Sequence, residues 1–362
     1  MSQYRVAGVL AVATLVMLAV VACTPGKPST LPSGSKLATS APSPSYTQPA
    51  TPASRFSITC DQLTPATAVA ALIGPPATPI APYPDPGLSG GTIENMSNLA
   101  NNSLVQSGSL ECAWSDDSAA PALTIALIPD AASEFSALVP SLFELPEVTG
   151  LGDRAYGGCM NSGILRCEFQ ILVGATWVSI SPNELAAKAP TLQSITELAR
   201  KVVDAVVASP APSPQWTAPP SSVGTSVSCA TLLSAQQLAP FSLPAPKDLH
   251  GLGYFGGYLG DTAIAIAGGR ECAWGAVSTL IVPGASWAWA SHGPVSNTSI
   301  SVAPVTGLGD SAQVGCSTNT SNTQCTAQIL VGSTWVGIDG PFANVDAIVA
   351  FAKVELTALK AA

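Results

Sequence analysis

Apolar residues recur at helical spacing in two long segments of this 362-residue chain. The first segment places these residues on one face of a helix: Leu192, Ile195, Leu198, Ala199, Val202 and Val206. The second segment does the same with Val345, Ile348, Phe351, Ala352, Leu356 and Leu359. This spacing predicts two amphipathic helices, each with an apolar face that packs against another layer of structure.

Shorter apolar runs between turn residues predict β-strands. In the first half of the chain the strands are predicted at Leu110–Ser115, Ala122–Ile128, Arg166–Val173 and Thr176–Ile180. A preceding helix is predicted over Cys60–Ile73, because Gly74 and two prolines follow it, and a counterpart over Cys229–Leu238. The predicted fold class is therefore α+β: two tandem homologous domains, each an antiparallel sheet flanked by an N-terminal and a C-terminal helix, with two disulfides per domain.

The tandem arrangement is predicted from an internal repeat. The sequence ECAW at Glu111–Trp114 returns at Glu271–Trp274, roughly 160 residues later. ILVG, one further residue and TWV begin at Ile171 and return at Ile329, and VTGLGD begins at Val148 and returns at Val305. We therefore expect repeat domains at residues 56–208 and 228–362. The Pro-rich linker 209–227 between them predicts few packing contacts, so each domain is expected to fold alone.

The repeated VTGLGD motif has two interpretations. Its glycines and its aspartates, Asp153 and Asp310, are typical of a tight turn in which a carboxylate accepts backbone hydrogen bonds. A phosphate-binding loop needs similar glycines together with a following helix or a lysine. Neither copy offers the lysine, so a scaffold turn is the favoured prediction.

The N-terminus predicts export and lipidation. Residues 1–22 contain one cation, Arg5, and then an uncharged, largely apolar run that ends in Val-Val-Ala before Cys23. This pattern is typical of a lipoprotein signal peptide, and the run is short for a membrane-spanning helix, the alternative. Residues 23–55 are rich in Ser, Thr and Pro and predict a tether. We expect palmitate-type acylation at Cys23 and a location on the outer face of the cytoplasmic membrane, in the cell envelope.

The cysteine count supports an oxidising compartment. Removing Cys23 from the nine leaves an even set: Cys60, Cys112, Cys159, Cys167, Cys229, Cys272, Cys316 and Cys325. Four cysteines per copy allow three pairings. The short loops favour Cys159 with Cys167 and Cys316 with Cys325, which leaves Cys60 for Cys112 and Cys229 for Cys272. A metal site is disfavoured because no Cys-x-x-Cys or paired histidine accompanies these cysteines.

Composition excludes nucleic acid as a partner. No cofactor is expected. The chain is 47% hydrophobic and only 10% charged, with a net charge of -9. Nucleic-acid binding needs clustered Lys and Arg, and no such cluster is present in the sequence.

A ligand or partner patch is the main candidate site. It comprises aromatic residues that differ between the copies: Tyr254, Phe255, Tyr258, Trp287 and Trp289. An alignment anchored on the motifs places the two tryptophans opposite Glu134 and Ser136. Large aromatic side chains in place of polar ones suggest an apolar binding surface. The alternative is that they fill the core of the second copy.

Two further functions compete with binding. A secreted serine hydrolase using His250 or His292 is the enzyme alternative, because triad residues need not be neighbours in sequence. The other alternative is a structural envelope spacer without a ligand. A non-catalytic binding protein is favoured over both.

Several short motifs together resemble a known family. They are a cysteine that opens the first helix, the Cys-x-Trp strands at Cys112 and Cys272, the Gly-Leu-Gly-Asp-x-Ala turn and a final valine-rich hairpin. This combination resembles actinobacterial, mycobacterial-type cell-envelope lipoproteins with a domain of unknown function. The resemblance implies a lipid-anchored extracytoplasmic protein and supplies no catalytic residues. The expected partners are the membrane, through the anchor, and an envelope lipid, glycan or secreted protein.

Overall fold

The computed structural model describes residues 51–80, 99, 102–116, 121–142, 145–161, 165–182, 188, 190–225, 227–251, 257–291, 300–317 and 323–361. The fold is α+β with two antiparallel sheets, as predicted. Cys23 and the predicted signal peptide lie outside the described residues.

The first sheet has the order β1-β2-β3-β6-β5-β4. Its strands are β1 (Thr78–Ile80), β2 (Leu110–Ser115), β3 (Leu123–Ile128), β4 (Arg154–Asn161), β5 (Leu165–Val173) and β6 (Thr176–Pro182). The second sheet has the order β10-β11-β12-β13-β9-β8-β7. Its strands are β7 (Lys247–Asp248), β8 (Arg270–Trp274), β9 (Val277–Val282), β10 (Ala303–Pro304), β11 (Ser311–Cys316), β12 (Cys325–Val331) and β13 (Thr334–Gly340). The two sheets follow the same path, with β10 as an additional edge strand in the second.

The helices of the first repeat are α1 (Cys60–Leu63), α2 (Ala66–Ile73), α3 (described at residues 99 and 102–106), α4 (Ala132–Leu142) and α5 (Leu192–Ala208). Those of the second are α6 (Cys229–Leu232), α7 (Ala235–Leu238), α8 (Gly257–Ile266), α9 (Ser286–Ser291) and α10 (Val345–Ala361), with a 3₁₀ turn at Ala239–Phe241. The predictions of one continuous helix over Cys60–Ile73 and of its counterpart over Cys229–Leu238 are wrong, because each segment forms two separate helices. Thr64 is extended and Pro65 caps α2, since proline disfavours helical conformation in the preceding residue.

Each sheet buries one face under its own amphipathic helix. Successive side chains of β6 point to opposite faces, and Val178 and Ile180 pack in one cluster with Ile195 and Val202 of α5. The second repeat is built in the same way, with Val336 and Ile338 of β13 beside Ile348 and Phe351 of α10. Leu192 and Val345, the first residues of the two predicted apolar helix faces, are the exceptions. Leu192 is 50% exposed and Val345 is 37% exposed.

All eight cysteines of the two repeats form disulfides, in the favoured pairing. Cys60 bonds to Cys112 and Cys159 to Cys167 in the first repeat. The corresponding pairs in the second repeat are Cys229 with Cys272 and Cys316 with Cys325. Every bridge therefore lies within one repeat.

The VTGLGD motif is a scaffold turn, as predicted. Asp153 Oδ2 accepts a hydrogen bond of 2.6 Å from the backbone N–H of Gly174, in the turn between β5 and β6. Asp310 Oδ2 accepts the same bond, also 2.6 Å, from Gly332. Gly152 has a φ of 59°, and an added Cβ would lie 2.4 Å from the carbonyl oxygen of Leu172, so glycine is required there. The motif therefore ties the entrance of one strand to the neighbouring hairpin.

The Pro-rich linker makes ordered contacts, so the expectation of few contacts is wrong. We call residues 213–223 the strap. Ser213 N–H donates to the carbonyl of Arg55 (2.8 Å), and Arg55 Nε donates to the carbonyl of Ser213 (2.6 Å). At its other end, Val223 N–H donates to Thr334 Oγ1 (2.9 Å) in the second repeat. The strap is therefore fastened to both repeats.

Candidate functional site

The aromatic residues of the predicted patch lie between the two repeats where the structure describes them. Trp287 is only 2% exposed, Trp289 and Tyr258 are partly buried, and Tyr254 and Phe255 lie outside the described residues. Trp287 and Trp289 share a cluster with Leu280 and Trp335 of the second sheet. For Trp287 the alternative interpretation, that it fills a core, is the one that fits.

The motif-anchored alignment of the two copies, which places Trp289 opposite Ser136, is wrong by one residue. Strand register pairs Ile128 with Trp177 in the first sheet and Val282 with Trp335 in the second, so Ile128 and Val282 are equivalent. Counting onward from them places Trp289 opposite Phe135, not Ser136. Phe135 contacts Trp177 edge-to-face at 5.5 Å, and Trp289 contacts Trp335 in the same way at 5.2 Å. An aromatic pair at this position therefore belongs to the fold of both repeats.

The repeats meet through the faces of their sheets that α5 and α10 leave uncovered. We call this contact, formed by α3, α4, α8 and α9 with the sheet residues beneath them, the seam. One of its clusters joins Leu99 and Val105 of α3 to residues of the second repeat, including Ile264, Val282 and Trp287. The other cluster joins α8 to the first repeat: Tyr258, Leu259, Ala263 and Ile266 pack with Ile128, Phe135, Val139 and Trp177. Helices of each repeat thus help to cover the sheet of the other.

Polar contacts also cross the seam. Trp287 Nε1 donates a hydrogen bond of 2.6 Å to Gln106 Oε1 in the first repeat. His250 Nε2 lies 2.7 Å from Glu134 Oε2, so the imidazole and the carboxylate pair across the two repeats. Among the described residues the His250 ring pairs with Glu134 and with no serine hydroxyl, and His292 lies outside them.

Carboxyl groups are buried on both sides of the second sheet. On the seam side, Glu271 is 2% exposed and Asp261 is fully buried. Burial, followed by the neighbouring Asp261 and Asp248, raises the pKa of Glu271 to about 9. On the opposite side, burial raises the pKa of Glu355 to about 8, and Thr279 Oγ1 lies 3.2 Å from its carboxyl. The equivalent of Glu271 in the first repeat is Glu111, whose pKa burial also raises to about 8. Glu111, Glu271 and Glu355 are therefore protonated in the folded protein at neutral pH.

A cleft of about 280 Å³ opens on the outer helical layer of the first repeat, away from the seam. The buried side chains of Leu72 and Leu198 form its floor. The more exposed lining residues form its rim: Ala68, Ala71, Lys188, Thr191, Gln193, Ser194, Glu197 and Lys201. Two lysines against one glutamate give the rim an excess of positive charge, on a chain whose net charge is -9.

The second repeat fills the corresponding space with aromatic side chains. The two 17-residue helices α5 and α10 match residue for residue, which makes Phe351 the equivalent of Leu198. Counting from the first cysteine of each repeat makes Phe241 the equivalent of Leu72. Phe241 and Phe351 contact edge-to-face at 5.2 Å, and Phe342 lies 5.6 Å from Phe351. Smaller side chains at both positions therefore leave the cleft open in the first repeat.

The described residues contain no group of three or more His, Cys, Asp or Glu placed to hold a metal ion. No helix among them is both long and apolar enough to cross a membrane. Comparison of the chain with protein-family models, with curated proteins and with solved structures finds no match.

Two parts of this arrangement were missed by sequence reasoning. The seam helices α3 and α8 immediately precede the ECAW strands, and the apolar residues Leu259, Ala263 and Ile266 of α8 have the i, i+4, i+7 spacing of a helix face. That spacing could have predicted α8. No sequence signal indicates the cleft, because it depends on how two separate helices come together.

The buried carboxyls predict a loss of stability as the pH rises. In the unfolded chain the Glu271 and Glu355 carboxyls ionise near their ordinary pKa of 4.5, whereas in the folded chain they stay protonated up to about 9 and 8. Between these limits the folded state binds more protons than the unfolded state. The free energy of unfolding therefore falls as the pH rises from about 5 to 9. Denaturant titrations at pH 5, 7 and 9 measure this slope.

Matched variants assign the slope to these groups. Glu271→Gln and Glu355→Gln, each of which removes a titrating group, are expected to flatten the pH dependence. The exposed Glu197→Gln is expected to leave it unchanged. If Glu271→Gln and Glu355→Gln keep the slope of the parent protein, as the control does, the assignment is contradicted.

Proposed function

We propose that this chain is a lipid-anchored extracytoplasmic protein of the cell envelope that is not an enzyme and binds an envelope component. The disulfides support the compartment, because all eight cysteines after Cys23 are paired within the repeats. Such a dense set of disulfides is typical of oxidising environments. Cys23 is the only remaining cysteine in the sequence and stands where a lipoprotein acyl acceptor belongs.

The cleft in the first repeat is the observation on which the binding proposal rests. It is concave, with Leu72 and Leu198 at its floor and polar groups around its rim, and ligand sites combine apolar surface with placed polar groups. Lys188 and Lys201 on the rim favour an anionic group on the ligand. The proposed ligand therefore combines an apolar body with an anionic head, as many envelope lipids do. Since the second repeat fills the same space with phenylalanine, the two repeats have different roles.

The hydrolase and spacer alternatives have less support. His250 is held by Glu134 inside the seam, which gives this pair a role in joining the repeats. A spacer has no use for a cleft of this kind. Trp287 of the aromatic patch contributes through the seam, because its side chain is buried there.

The proposed lipid anchor predicts what happens when the sulfur of Cys23 is replaced by oxygen. Cys23→Ser is expected to abolish metabolic incorporation of labelled palmitate and to leave the precursor unprocessed, because the acylated sulfur also marks the cleavage site. Labelling and gel mobility of the expressed protein measure both effects. Lipid labelling that persists in the Cys23→Ser chain would contradict the anchor.

The cleft predicts binding of an amphipathic anion. The probe is 8-anilinonaphthalene-1-sulfonate, which joins an apolar ring system to a sulfonate, titrated into the chain from Thr24 onward without lipid or detergent. The double variant Leu72→Phe with Leu198→Phe gives the first repeat the residues of the second. It is expected to weaken probe binding at least tenfold, because the apolar floor is filled.

Two further variants separate the cleft from the rest of the surface. Lys201→Glu is expected to weaken binding several-fold through charge repulsion, while Lys360→Glu, on α10 of the second repeat, should have no effect. The melting temperature of each variant shows that the fold is retained. Equal probe binding by the parent protein and the stable double-phenylalanine variant would overturn the cleft as the site.

A further inference from the structure

Each repeat has apolar surface that the other repeat helps to cover. In the first repeat, Trp177 and Phe135 are fully buried, and the cluster that buries them includes Leu259, Ala263 and Ile266 of the second. In the second repeat, Trp335 is 1% exposed and shares its cluster with Leu99 of the first. Both repeats belong to one compact unit. Separating them would expose large aromatic side chains on both sides.

The contact is reciprocal. Leu99 and Leu259 stand at equivalent positions, each thirteen residues before the cysteine of its ECAW strand. Leu99 packs in a cluster made chiefly of second-repeat residues, and Leu259 packs in a cluster made chiefly of first-repeat residues. A contact in which the same position on each partner reaches across to the other is the arrangement of a two-fold dimer.

Directional contacts fix how the repeats fit together. The bond from Trp287 to Gln106 and the pair of His250 with Glu134 both cross the seam. Close packing adds a third constraint, because a Cβ added at Gly251 would lie 2.6 Å from Leu138 of the first repeat. Parting the repeats would break these polar bonds, and complementary polar groups across an interface fix its register.

The covalent link between the repeats runs through the linker. The strap bonds to Arg55 through Ser213, Gln215 Nε2 donates to the carbonyl of Ile266, and Ser222 forms a β-bridge with Gly332. These contacts hold the strap on the surface, and Pro210 and Ala211 before it are exposed. No disulfide joins the repeats. Within the described structure, the two repeats are therefore linked covalently only by the backbone that runs through the linker.

We infer that the chain is a fused dimer: each repeat presents the seam as an interaction surface whose partner is a second copy of the same fold, and the seam holds the two together without the covalent link. The covalent link raises the effective concentration of one repeat near the other but is not needed to join them. This inference replaces the expectation that the repeats behave as independent domains. It does not depend on the proposed ligand or on the cleft.

Cutting the linker tests the inference in the complete protein. A protease site is inserted between Ala211 and Pro212, ahead of the first strap bond, in the complete chain with a C-terminal affinity tag. After folding and cleavage under non-reducing conditions, affinity capture is expected to recover both fragments in equal amounts. Recovery of the tagged second fragment alone, from a chain that was folded before cleavage, would overturn the inference.

Variants in the cut protein show whether the seam is responsible. Leu259→Asp places an unpaired charge against Phe135 and its neighbours and is expected to lower recovery of the first fragment at least tenfold. Lys353→Asp, on the exposed face of α10, is expected to leave recovery unchanged. Full recovery of both fragments from a folded Leu259→Asp chain would overturn the seam as the source of association.

A milder change covers the case in which Leu259→Asp fails to fold. Trp287→Phe keeps a large apolar side chain and removes the indole N–H that bonds to Gln106. The cut fragments of this variant are expected to separate roughly tenfold faster than those of the parent, as loss of a buried hydrogen bond requires. An unchanged rate would contradict the inference.

Discussion

The structure depends on covering both faces of two antiparallel sheets. An amphipathic helix covers one face of each sheet, where Val178 packs beside α5 and Val336 beside α10. The neighbouring residues Trp177 and Trp335 point the other way and are also buried. A sheet with two apolar faces needs two covering layers. This chain provides the second layer by bringing its two repeats face to face, with α3, α4, α8 and α9 between the sheets.

Local features of this fold could be predicted from the sequence because their causes are local. The turn at Asp153 depends on glycines and a carboxylate within a few residues, and the same letters recur at Asp310. The pairing of Cys159 with Cys167 follows from the short loop between them. The main strands follow from apolar runs bounded by turn residues. Predictions failed where a single residue decides, as at Pro65, which divides the first helix.

The seam could not be predicted because its signal is split between distant parts of the chain. The motif-anchored alignment predicts that Trp289 replaces a polar residue, because that alignment is shifted by one residue. Strand register shows that it replaces Phe135, and each of the two contacts an equivalent tryptophan. Aromatic residues that the sequence predicts to bind a ligand or partner therefore help to join the repeats instead. The cleft lies where the first repeat has Leu72 and Leu198. The second repeat has the larger side chains of Phe241 and Phe351 at the equivalent positions, and these contact each other.

The central claim is that the seam makes the two repeats one cooperative structure. Differential scanning calorimetry of the disulfide-intact chain tests it most directly, because independent domains melt separately and a cooperative unit melts once. The account predicts a single transition whose calorimetric enthalpy equals its van't Hoff enthalpy. Two resolved transitions, or a calorimetric enthalpy about twice the van't Hoff value, would show that the repeats unfold independently and would contradict the account.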